Sequence, residues 1–222
     1  MMKTITVKGV GKLSVKPDWI EISVKLETEA EEYEKTMESA AQRIALLTRS
    51  LEEIGFKKEA VKTTDFRVRT DYEAVRDKDG NHQSVFKGYV CTHHVKIAFD
   101  FDTKRLAQVL SAISASLVKP EFYISFTVKD PAAVREGILK SAAQNAREKA
   151  EILCAASGVM LGGLVSIHYG WEEADIRSVT DYKIEGRCLR KAEVCLSDIN
   201  IEPEDIDASD TATFVWEICD GR

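Results

Sequence analysis

The chain has 222 residues, 44% of them hydrophobic and 31% charged, proportions of an ordinary soluble globular protein that exclude disorder throughout. That length suffices for one large module or two small lobes. A net charge of −6, with no run of Lys or Arg, repels nucleic acid and anionic lipid, so neither is an expected partner.

The opening Met1-Met2-Lys3-Thr4-Ile5-Thr6-Val7-Lys8 is broken by charge before a secretory core could form. No stretch approaches the roughly 20 apolar residues that cross a bilayer. A cytoplasmic protein without a membrane span is expected. Ile5, Val7 and Val10 predict a short first strand, and Gly9 with Gly11 a turn into a second alternation at Leu13 and Val15. Ile20, Ile22, Val24 and Leu26 then alternate in the opposite phase, so Pro17-Asp18 is expected to be a bulge or bend.

Between Ala30 and Ile54, Tyr33, Met37, Ala40, Ile44, Leu47, Leu51 and Ile54 recur at intervals of three and four. This predicts an amphipathic helix that covers a sheet in preference to pairing as a coiled coil, with Gly55 at its C-terminal cap. Phe66, Val68 and Tyr72 predict a strand, Asp79-Gly80 a turn, and Tyr89, Cys91, His93, Val95, Ile97 and Phe99 the return strand. That phase puts His93 on the buried side and His94 on the exposed one. Asp102 caps a second helix carrying Leu106, Val109, Leu110, Ile113 and Leu117, and Phe122, Ile124, Phe126 and Val128 form a further strand.

From Leu13 the order is therefore βαββαβ, a ferredoxin-like core with two helices on one face of an antiparallel sheet whose other face needs a cover or a partner. Asp130-Pro131 starts a third helix that ends near Gly158 and carries the small stripe Ala142, Ala146 and Ala150. Strands at about Leu164 to Tyr169 and Thr211 to Cys219 close the chain, the latter with Phe214, Trp216 and Ile218 on one face. Residues 171–200 have no clean period and predict a long loop or hairpin. The fold class is α+β: the ferredoxin-like core plus a second closely packed lobe from the C-terminal helix and strands, with boundaries near 60 and 130–160.

Several short motifs occur in a particular order. Ile5-Thr6-Val7-Lys8-Gly9-Val10-Gly11 precedes Val15-Lys16-Pro17-Asp18. Val61-Lys62-Thr63-Thr64-Asp65-Phe66, Gly88-Tyr89 and Ile201-Glu202-Pro203 follow. This arrangement resembles the SIMPL family: an I-x-V-x-G-x-G strand and V-x-P-D bend, an I-x-T-x-x-F strand, a G-Y strand start and a closing β segment. The resemblance spans nearly the whole chain except residues 171–200, as one SIMPL-type module over 1–222. It implies two intimately packed α+β lobes and a homo-oligomer, and supplies no catalytic residues. Many relatives are exported, a feature the opening residues here do not share.

The residues offer little chemistry of their own. Cys91-Thr92-His93-His94 brings together good metal ligands, and Cys91 and His93 share a strand face. They are nonetheless only two ligands on an apolar face, so a core thiol and a core histidine are expected. Glu202, Glu204, Asp205, Asp207 and Asp210 lack calcium-loop spacing and read as a solvated acidic turn. Cys91, Cys154, Cys188, Cys195 and Cys219 are odd in number and scattered, which predicts reduced thiols. Trp19, Trp171 and Trp216 read as core or lobe-interface residues. No phosphate-binding or hydrolase motif occurs, and no cofactor is expected. The function read from the sequence is non-enzymatic, by self-association or protein binding; the alternative is a small-molecule binding protein or weak enzyme using a cleft between the lobes.

Overall fold

Gly9 and Gly11 make no turn. The first strand, β1 (Thr4–Val15), runs straight through both and pairs residue by residue with β8 (Ile206–Asp220), from Thr4 opposite Glu217 to Val15 opposite Ile206. The glycines serve a close approach: a Cβ would lie 2.1 Å from the Ala142 carbonyl oxygen at position 9 and 2.0 Å from that of Ile138 at position 11. Both carbonyls belong to helix α3 (Pro131–Ala156). The bend at Pro17-Asp18 separates β1 from β2 (Trp19–Ala30), and the two strands enter different sheets.

The computed structural model describes residues 3–76, 82–116, 121–170, 175–184 and 201–221. Among them are three helices and two antiparallel sheets, a mixed α/β architecture. The chain divides into two units. The first comprises Met1–Asp18, Thr127–Val179 and Pro203–Arg222; the second comprises Trp19–Phe126 and Thr180–Glu202. Residue 60 lies inside the second unit and the span 130–160 inside the first.

The first unit holds a three-stranded sheet in the order β1-β8-β6, with β6 at Val159–Tyr169. Helix α3 starts as the sequence indicates, because Asp130 accepts a hydrogen bond from the Ala133 N–H at 3.0 Å. Its small stripe Ala146 and Ala150 packs on Val7, Ala212, Phe214 and Trp216, with Phe214 and Trp216 stacked 5.4 Å apart. Val134 and Ile138 pack on Val128, Ile176, Ile206 and Ala208.

The second unit holds a five-stranded sheet, β3-β4-β2-β5-β7, formed by β3 (Lys62–Arg76), β4 (His82–Asp100), β2, β5 (Glu121–Thr127) and β7 (Arg177–Ile184). Helix α1 (Tyr33–Glu53) and helix α2 (Thr103–Ser116) supply Leu47, Leu51, Leu106, Val109, Leu110 and Ile113 to a core with Ile20, Ile22, Val24, Val95, Ile97, Ile124 and Phe126. Helix α1 begins later than Ala30 because β2 is still paired there, Ala30 opposite Tyr89. Gly55 follows its end at φ +89°, as a C-terminal cap requires. Asp102 Oδ1 accepts from the Lys104 and Arg105 N–H groups at the start of α2.

Two expectations need correction. Leu13 and Val15 belong to β1, so the βαββαβ order begins at Trp19. Within 171–200, where a long loop or hairpin is expected, the described residues include strand β7, whose inward residues Ser178, Thr180 and Tyr182 are polar or part polar and leave no aliphatic period. The acidic segment is only partly a turn, since Asp207 and Asp210 lie on β8. The turn at Asp79-Gly80, Leu117, Trp171, Cys188 and Cys195 fall outside the described residues.

Candidate functional site

Cys91 and His93 sit where the alternation of β4 puts them, on the helix-covered face of the larger sheet. Cys91 is fully buried between Thr28 of β2 and Val68 of β3. His93 is 9% exposed. Its Nε2 lies 2.8 Å from Thr63 Oγ1, and its ring meets Phe66 edge-on at 5.1 Å. His94 faces the other way and is half-buried, short of the exposure expected for it. Burial holds the His93 pKa below the ordinary histidine value, with the neighbouring His94 adding to the effect. Burial raises the Cys91 thiol, against the pull of a hydrogen bond from Thr28. A neutral imidazole and a protonated thiol packed among apolar side chains favour packing over chemistry. Among the described residues, no group of three or more His, Cys, Asp and Glu is placed to hold a metal ion.

The helix-free face of the same sheet is polar. Glu21, Ser23, Lys25, Glu27, His94 and Lys96 occupy it, so it needs no apolar cover, contrary to the expectation from the sequence. Lys96 pairs with Glu21 at 3.0 Å, and Lys25 with Glu27 at 3.0 Å and Glu121 at 3.3 Å. The hydrogen bond to Glu27 is the main cause of a raised Lys25 pKa. A groove of about 500 Å³ opens here between Ser23, Lys25, His94, Glu121, Tyr123 and Lys183. Tyr123 donates to Asp181 at 3.4 Å. With Lys25 already shared by two carboxylates, the groove offers an anion little unspent charge at that lysine.

The sheet edges differ more sharply. In the first unit, α3 lies along the outer edge of β1 and occupies three of its hydrogen-bonding positions. Asn145 Oδ1 accepts from the Val10 N–H at 3.0 Å, Ser141 Oγ from the Lys12 N–H at 3.4 Å, and Lys149 Nζ donates to the Lys8 carbonyl at 3.3 Å. In the second unit, edge strand β3 carries Lys62, Asp65, Arg67, Arg69, Asp71, Glu73 and Arg76, with register shifts at Thr63/Asp65 and Asp71/Tyr72. Charges and bulges of this kind discourage a further strand. Edge strand β7 carries Arg177, Asp181 and Lys183.

Strand β6 also has register shifts, at Leu161/Leu164 and Leu164/Ser166, but it carries no charge. Its sequence Val-Met-Leu-Gly-Gly-Leu-Val-Ser-Ile-His-Tyr contains no Asp, Glu, Lys or Arg. Met160, Leu164, Val165, Ile167 and Tyr169 are all large and exposed, Ile167 at 54% and Leu164 at 52%. The alternation at Leu164 to Tyr169 marks only part of this strand in the sequence, and not its surface. Its signal was the absence of charge in a chain that is 31% charged. A second apolar strip runs along the β3–β4 hairpin, where Tyr72 meets Phe86 at 5.7 Å, Phe86 meets Tyr89 at 5.4 Å, and Tyr33 meets Tyr89 at 5.6 Å.

A two-helix sheet with a polar outer face, and a smaller sheet under one helix with an apolar edge strand, define a protein whose notable features are surfaces. A profile of the SIMPL family, described as a protein of unknown function (DUF541), matches residues 5–216, and the chain belongs to that family. A search of curated proteins gave no match. No helix is long and apolar enough to cross a membrane among the described residues.

Proposed function

We propose that the protein acts without catalysis, through self-association or the binding of another protein, with a homo-oligomer as its working form. The observation that carries this reading is β6, an edge strand without charge whose large apolar side chains face water. Exposed apolar surface of this kind characterises interaction sites. The core of the second unit is read as ferredoxin-like. The strand order β3-β4-β2-β5 and the packing of α1 and α2 into a single core support that reading.

The groove beside Lys25 and His94 is the feature that favours small-molecule binding instead. Native mass spectrometry of the protein drawn from its own cells separates the two readings, because it reports subunit count and retained ligand together. Multimers without a small molecule support self-association. A monomer carrying one contradicts it.

A further inference from the structure

We propose that β6 pairs antiparallel with β6 of a second copy of this chain, joining two three-stranded sheets into one of six. The proposal rests on the self-association reading above and names the surface that performs it. Strand edges expose unpaired N–H and C=O groups that invite pairing, and folded proteins blunt them with charge, bulges or a covering element. The edge of β1 is covered by α3 through Asn145, Ser141 and Lys149. Charged residues line β3 and interrupt β7. Among the described residues, strand β6 is paired with β8 on one side and stands at the end of its sheet on the other.

The side chains of β6 match this geometry. The register shifts lie between Leu161 and Ser166, so pairing with β8 is regular at Val159–Leu161 and again at Ser166–Tyr169, the latter opposite Val215 to Ala212. Cross-strand partners share a face. Ile167 opposite Phe214 and Tyr169 opposite Ala212 therefore stand on the side where α3 covers Phe214 and Ala212, yet both remain about half exposed. Ser166 and His168 occupy the other face, 3.2 Å apart through Oγ and Nε2. Antiparallel pairing of two such strands sets apolar residues beside apolar ones on the helix side and polar beside polar on the other. No like charges of Asp, Glu, Lys or Arg are brought into register, although each chain carries −6 overall.

The choice of a second copy as occupant follows from closure. A two-fold axis between identical strands satisfies both edges at once. The outer edges of the joined sheet are then the two β1 strands, each already engaged by α3 at Lys8, Val10 and Lys12. The assembly stops at two chains along this sheet, whereas a foreign strand would leave its own outer edge open.

Light scattering of the full chain and of two variants tests the pairing. Ile167→Lys places a cation on each strand of the symmetric pair, and the dissociation constant should rise about tenfold or more. Val75→Lys on the exposed hairpin arm should leave it unchanged. Circular dichroism checks that Ile167→Lys folds; if it does not, Val165→Lys, at a position 43% exposed, is read in its place. A wild-type protein that multimerises equally well with the β6 substitution overturns the β6 assignment and leaves self-association standing. A wild-type protein monomeric at every concentration overturns both.

Discussion

The larger sheet and the smaller one solve the same problem in opposite ways. On the larger, the helix-free face is laced with paired charges, Lys96 with Glu21 and Lys25 with Glu27 and Glu121, and the outer strands carry charge at intervals. On the smaller, one edge is guarded by α3 and the other, β6, is apolar and carries no further strand among the described residues. Charged surfaces of the first kind belong to a sheet that stays in water. An edge of the second kind is tolerated when pairing is its purpose, since otherwise it would promote aggregation.

The contrast breaks most completely at the seal. Gly11→Ala would place a methyl group 2.0 Å from the Ile138 carbonyl oxygen, a contact relieved only by moving α3 off β1. A loss of about 3 kcal/mol or more is expected. Chemical denaturation measures it, and unchanged stability would show that the helix does not approach this closely.

A gentler opening of the same seal is Asn145→Ala, which removes the acceptor 3.0 Å from the Val10 N–H and should cost about 1 kcal/mol. The freed edge should also allow assemblies larger than two chains, read by light scattering. A variant matching the wild type in stability and mass would mean that Asn145 does not guard the edge.

The smallest effect lies inside the larger sheet. His93 is held neutral in the folded state, so its folded pKa lies below the unfolded value near 6.5. Between those two values the unfolded chain binds more protons, and stability falls as pH falls through that window. His93→Gln should flatten this part of the stability profile. A profile identical in both proteins would show that His93 titrates normally when folded.

Much of this architecture was legible in the sequence, because helix caps and two-residue alternation are local. Asp102, Asp130 and Gly55 announce helix ends through their own backbone chemistry, and His93 follows from the phase of Val95 and Ile97. What was not legible depended on distant residues. Gly9 and Gly11 look like turn residues until α3, over a hundred positions away, is seen lying on them. Strand β7 hid because its buried Ser178 donates to the Glu204 carbonyl at 2.7 Å in place of packing as an aliphatic residue. The groove at Ser23, Lys25, His94, Glu121 and Lys183 gathers four strands with no common spacing.

Hydrogen exchange of the wild-type protein at increasing concentration compares the open edge with a defended one in a single measurement. The account predicts that backbone amides across Ser166–Tyr169 of β6 gain protection as concentration rises, while those across Thr70–Arg76 of β3 keep the same rates. Exchange at β6 that is independent of concentration, in a sample whose mass grows with concentration, would contradict it.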